Sequence, residues 1–281
     1  MKRTTWVSLA LLCLGATINS CTKVISTGGG SSDNQDMQLL LTDDPPGPGD
    51  LVNFQADITA INVDIKSVSV MTMNDTSHWD SLNIRAGVYN LVNLRNGLDT
   101  ALGTTSLKKG MIKSFRIVFG NNSSVTANGV NVQLGLLFAP TVIVPVTGDS
   151  IQLGDSPLQV WMDIDAGRSI AEVGQGNFSL KPFIRFFTSN SATLTGMVAP
   201  QSSAPIVGVI SGTDTLTALP TFPAGDTTGT ATGMWEVRGL KTGSVSVIVH
   251  ATAPSFMDTA YLNVAVQNGQ TTDLGTVWLK P

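Results

Sequence analysis

The sequence predicts an all-β chain, with two β-sandwich-like domains in tandem behind a leader and a flexible tether. Three observations lead there. Apolar residues alternate over short runs, as Met37, Leu39 and Leu41 do. β-branched residues crowd those runs, and their stiff side chains suit a pleated surface. Turn chemistry such as Asn121-Asn122-Ser123-Ser124 and Asn268-Gly269 separates one run from the next.

Lys2 and Arg3 open the chain, and an apolar stretch from Trp6 to Ile18 follows that is too short to cross a bilayer as a mature helix. Ile18-Asn19-Ser20-Cys21 resembles a bacterial lipoprotein box, so residues 1–20 are expected to be a signal peptide. Acylation of Cys21 would make it the new amino terminus. Thr22 to Asp36, rich in Gly, Ser, Asp and Asn, reads as a tether.

Residues 37–190 are expected to form the first domain. Its opening strand, near Met37–Leu41, ends at Asp43-Asp44-Pro45-Pro46-Gly47-Pro48-Gly49, where prolines remove ladder donors. Residues 54–73 carry both helical and alternating spacings. β-branched density favours strands, with a turn or bulge near Lys66-Ser67 to change the parity. Further strands are expected at 88–94, 111–119, 130–136, 141–146, 158–164 and 178–187. Met111, Lys113, Phe115, Ile117 and Phe119 share one parity. One short helix is expected within 98–109, and Gly174-Gln175-Gly176-Asn177 reads as a hairpin turn.

Residues 191–281 are expected to form a second, smaller sandwich, with strands near 194–198, 206–210, 235–237, 245–249, 262–266 and 274–279. Gly239 and Gly243 bracket a tight turn.

Sixteen Lys and Arg stand against 20 Asp and Glu, and loss of Lys2 and Arg3 takes the net charge from -4 to -6. No basic cluster interrupts the deficit, which argues against nucleic acid as a partner. Cys13 leaves with the leader, so Cys21 would be the only mature cysteine and no internal disulfide is expected. Beyond the leader no apolar run approaches 18 residues, and too few long alternating strands are legible for an integral barrel.

Separated segments then bring a family to mind. Leu41-Thr42-Asp43-Asp44-Pro45, the run from Gly87 to Gly97, Ile117-Val118-Phe119-Gly120-Asn121-Asn122, Trp161-Met162-Asp163-Ile164-Asp165-Ala166 with Ser169-Ile170, and Leu180-Lys181-Pro182-Phe183-Ile184-Arg185 occur in that order. Together, over about residues 37–188, they resemble the DUF4382 family, a bacterial domain found in lipoproteins of Bacteroidota-like organisms. Asp44 departs from the small residue more usual before the proline. The resemblance implies an envelope location but no chemistry. Leu194-Thr195-Gly196-Met197-Val198 and the run from Gly233 to Leu240 resemble the carboxypeptidase regulatory-like, transthyretin-type sandwich, which implies a spacer or interaction module. Ser244-Val245 departs from that pattern.

Candidate chemistry is sparse. His78 and His250 lie in different domains, outside any His-Glu-x-x-His arrangement, and no cysteine pair completes a zinc site. No cofactor is implied. Asp163 and Asp165, two apart on a strand, share a face. They would either hold calcium beside oxygens such as those of Asp43, or accept hydrogen bonds from Ser169 or Arg168 while Met162 and Ile164 fill the core. Glu172 and Glu236, the only glutamates, fall in different domains, which disfavours a paired-carboxylate glycosidase. Trp79, in His78-Trp79-Asp80, is the candidate ligand contact, whereas Trp161, Trp235 and Trp278 are expected in cores.

The leading expectation is a non-catalytic, lipid-anchored cell-envelope protein of the outer membrane. Its partners would be the membrane, through the N-terminal lipid, and an extracellular glycan or protein. The alternatives are a fimbria-like subunit assembling by strand addition, with Leu274–Leu279 as the candidate exchanged strand, and an extracellular hydrolase.

Overall fold

A computed structural model describes residues 33–44, 58–146, 150–154, 156–174 and 177–281. Cys21, the leader and most of the expected tether therefore lie outside the described residues. In the first half the strands are β1 (Asn34–Thr42), β2 (Ile58–Thr72), β3 (Asp80–Ser81), β4 (Asn83–Ile84), β5 (Gly87–Asn90), β6 (Thr100–Lys108), β7 (Gly110–Phe119) and β8 (Ser124–Ala127). They continue through β9 (Val130–Gln133), β10 (Gly135–Leu136), β11 (Thr141–Pro145), β12 (Gln152–Leu153), β13 (Leu158–Ile164), β14 (Ile170–Gly174), β15 (Asn177–Leu180) and β16 (Ile184–Thr188). The second half holds β17 (Ala192–Ala199), β18 (Pro205–Ser211), β19 (Asp214–Ala218), β20 (Gly233–Leu240), β21 (Gly243–Ala251), β22 (Thr259–Val266) and β23 (Thr271–Trp278). Among the described residues, one α-helical turn, Ala166–Ser169, and two 3-10 turns, Leu91–Leu94 and Gln201–Ser203, interrupt a predominantly β fold.

A five-stranded sheet, ordered β16-β13-β1-β6-β4, packs on a larger sheet built around β7 and β2. Leu39, Leu41, Val160 and Met162 from the first meet Val68, Val70, Phe115 and Ile117 from the second in one buried core. Phe115 and Phe186 stack across the layers with ring centroids 3.9 Å apart. The second half has its own core, in which Leu194, Trp235 and Val277 of the sheet β20-β17-β23 face Val207, Val247 and Val249 of the sheet β19-β18-β21-β22.

β2 runs unbroken from Ile58 to Thr72, and its pairing with β7 slips between Ile65 and Ser67. The parity change is a bulge and not a turn. The helix expected within 98–109 is instead β6, antiparallel to β1, whose Thr100, Thr104 and Thr105 suit a strand. The strand expected through 94 stops at Asn90. Its Oδ1 accepts from Val92 N at 3.2 Å and caps a short 3-10 turn, Leu91–Leu94. The strand expected at 178–187 is cut at Lys181-Pro182-Phe183 into β15 and β16. β1 begins at Asn34, ahead of the expected Met37, because polar Asn34, Gln35 and Asp36 still pair along β6.

Candidate binding cleft at the junction of the two halves

Part of the second face of the five-stranded sheet is buried as well, around Leu40, Trp161 and Phe187. On β13, Val160, Met162 and Ile164 enter the main core, while Trp161 turns the other way and stacks on Phe187, centroids 5.7 Å apart and planes within 4°. Its Nε1 donates to Asp99 Oδ2 at 2.8 Å. Arg238, from β20 of the second half, lies 5.5 Å over the Trp161 ring and donates to Gly97 O at 2.6 Å. Arg185, from β16, pairs with Asp163 Oδ2 at 2.5 Å and donates to Arg238 O at 2.9 Å. Asn96 Nδ2 donates to Leu219 O at 2.6 Å, and Arg168 bridges Asp165 and Asp214. Backbone approach is close enough to require glycine. At Gly239, with φ of 74°, a Cβ would stand 2.5 Å from Arg185 Nη1.

Four carboxylates converge on this seam. Asp43, Asp44, Asp163 and Asp165 are all buried. Asp43 Oδ1 accepts from Ala166 N at 3.2 Å, and Asp44 Oδ1 accepts from Thr217 N at 2.6 Å across the junction. Their second oxygens, and Asp163 Oδ1, find no hydrogen-bond partner among the described residues. Burial pushes both Asp43 and Asp44 well above the usual carboxylate range, and the neighbouring Asp163 adds to this. Burial also raises Asp165 to about 6, against the opposing pull of Arg168. Among the described residues, no group of three or more His, Cys, Asp or Glu side chains is arranged to hold a metal ion. Asp165 instead caps the helical turn, accepting from Arg168 N at 2.7 Å.

Beside the seam lies a cleft of about 690 Å³, within the range of small-molecule and peptide sites. Its floor is the outer face of the sheet β20-β17-β23, and its far wall is the segment Arg95 to Leu98 from the first half. Register places Met197 of β17 opposite Met234 of β20 on one side and Thr276 of β23 on the other. Met234 is 63% exposed and Leu98 61%, so both present apolar surface to the cleft. Glu236 and Asp273 add carboxylates, but Glu236 stands 3.4 Å from Arg238 Nε, and Asp273 accepts from Gly275 N at 2.9 Å.

Of the residues singled out from sequence, Asp43, Asp163 and Asp165 do meet, together with the unanticipated Asp44, Arg185 and Arg238. Asp165 accepts from Arg168, as the second of the two alternatives has it, whereas Asp163 pairs with Arg185. Trp79 is half-buried, with Arg116 4.7 Å over its ring, and does not line the cleft. His78 is exposed near Asp80, and His250 pairs with Asp258 at 2.8 Å, so the two histidines stay apart. Trp235 is 2% exposed and packs against Gly196. Trp278, expected in a core, is 64% exposed, because Val277 and Leu279 on either side of it take the inward positions. Leu274–Leu279 falls largely in β23, an edge strand that pairs in parallel with β17 inside its own sheet. The side chain of Glu172 lies outside the described residues. Sequence reasoning missed the cleft because its walls are about 100 residues or more apart along the chain.

The segments quoted for the family resemblance supply much of this seam: Asp43 and Asp44, Asn96 and Gly97, Asp163 to Ser169, and Arg185. The model of a domain of unknown function, DUF4382, matches residues 35–182, more than half of the chain. The chain belongs to the DUF4382 family. Comparison with curated proteins returns no match. Among solved structures, the Bacillus anthracis TIE protein is similar at 10% identity and a TM-score of 0.24, over 90% of this chain and 42% of its own. The chain thus spans less than half of that protein's length. A putative cell adhesion protein from Bacteroides fragilis is similar at 9% identity and a TM-score of 0.26, over 88% of this chain and 94% of its own. Among the described residues no helix is long and apolar enough to cross a membrane.

Proposed function

We propose that this DUF4382 protein is a non-catalytic envelope protein, acylated at Cys21 and held at the outer membrane, that grips a partner protein in the cleft between its two halves. The observation that carries the reading is the cleft itself. A floor from one half and a wall from the other enclose a volume that suits an extended peptide segment. Exposed methionine and leucine offer adaptable apolar contact, and Thr195, Thr221 and Thr276 offer hydrogen bonds. A sugar ring would need an open aromatic face, and the cleft's one tryptophan, Trp235, is buried. Both cleft carboxylates are engaged by Arg238 and by Gly275 N–H, which suits shape more than acid–base work. The second half would serve as a carboxypeptidase regulatory-like interaction module. Engagement of β23 in its own sheet supports a binding module over a strand-exchanging subunit.

Selection from a displayed random-peptide library tests the reading. Wild-type protein should enrich peptides that lose at least about tenfold in affinity, roughly 1.4 kcal/mol, on the double substitution Met197→Glu and Met234→Glu. Peptides that bind the double variant equally well, or binding confined to a glycan array, would count against it.

A further inference from the structure

We propose that Asp43 and Asp44 form a proton-operated latch, which holds the two halves together while protonated and loosens the junction when it ionises. The latch is independent of what the cleft binds. Asp43 lies at the end of β1 and Asp44 beside it, and each spends one oxygen on a backbone N–H: Ala166 in the first half, Thr217 in the second. The remaining oxygens, with Asp163 Oδ1 and Asn96 Oδ1, are buried without a protein partner among the described residues. All four residues line a small void of about 20 Å³.

The charges around the pair do not balance it. Asp163 on β13 faces it, paired at 2.5 Å with Arg185 of β16, whose charge also pulls on Asp44 but is outweighed by burial and by Asp163. Asp165 and Arg168, from the turn after β13, pair with each other, and Arg168 also reaches Asp214 at the start of β19. Glu236 and Arg238 approach from β20 and engage each other at 3.4 Å. Arg95 pulls on Asp43 from the segment after Asn90, yet its Nε is spent on Val92 O at 2.9 Å. No guanidinium therefore pairs directly with Asp43 or Asp44 among the described residues, and two buried negative charges side by side repel. Their raised pKa values agree, and the sign is set by linkage. A carboxyl raised in the closed state favours closure at low pH, and the benefit is lost as pH rises through its folded value. Opening would also move Asn96 and Glu236, which line both the void and the cleft.

Hydrogen exchange of the full chain, corrected for intrinsic rates, tests the latch. The Thr217 amide, which donates to Asp44, should exchange about tenfold faster or more at roughly pH 9 than at roughly pH 5. Core amides of β2 and β7 should hold. The double variant Asp43→Asn and Asp44→Asn should lose this pH dependence, and Asp165→Asn should keep it. Equal protection at both pH values in the wild type, or an unchanged pH dependence in the double variant, would overturn the latch. Should the double variant fail to fold, infrared spectroscopy of the wild type decides. A buried, protonated carboxyl band that persists above the pH at which ordinary carboxylates have ionised, about pH 5, supports the latch, and its absence overturns it.

Discussion

Gly239 shows how one backbone position can set the junction. With φ of 74° it already excludes most side chains, and a Cβ there would also meet Arg185 Nη1 at 2.5 Å and Phe187 Cδ1 at 2.6 Å. Gly129, with φ of 75° and open space around it, carries the backbone strain alone. Gly129→Ala should cost about 1 kcal/mol, and Gly239→Ala about 2–4 kcal/mol, in urea unfolding. Equal costs would show that the second half does not press on the Arg185 side chain. Asp165 gives a pH dependence whose direction is fixed. Its folded value of about 6 lies above an unfolded value near 3.9. Its contribution is therefore complete below about pH 4 and is lost as pH rises through about 6, on the order of 2–3 kcal/mol at most. Stability measured between about pH 5 and about pH 7.5 should fall, and Asp165→Asn should flatten that slope. An identical slope in the variant would assign the titration elsewhere.

At the scale of elements, legibility followed the range of the interaction. Leu158–Ile164 and Met111–Phe119 were readable because β-branched and aromatic residues report a strand from local composition alone. The bulge near Lys66-Ser67 was readable because parity is a local property. Leu98 to Lys109 was not: its threonines suit a strand, its glycine suits neither state, and the pairing of β6 with β1 decided it. The seam was the least legible part. Asp43, Asp44, Asp163 and Asp165 sit next to apolar strand residues in a chain with few charges, which marks them as unusual without revealing their partners. Arg185, Arg238 and Asn96 gave no local sign of their contacts, because each reaches across the fold to a residue 53 or more positions away.

At the scale of the whole molecule, the junction joins two separate apolar cores by oriented polar contacts rather than by a shared apolar core. Hydrogen bonds from Arg185, Arg238, Asn96 and Thr217 cross it, and each would be lost on separation. Scanning calorimetry near pH 6 should therefore show one cooperative transition for the wild type. Arg185→Met, which strands Asp163 in the interior, should cost about 3–5 kcal/mol and split the transition in two. Two transitions in the wild type would mean that the halves are coupled too weakly to shape a common cleft. The most direct measurement places a photo-crosslinking side chain at position 234 on the cleft floor, and a control at exposed Val130, in protein displayed on living cells. A discrete adduct formed from position 234 and not from position 130 is the expected result. Adducts from neither position, or equally from both, would contradict a partner-binding cleft between the two halves.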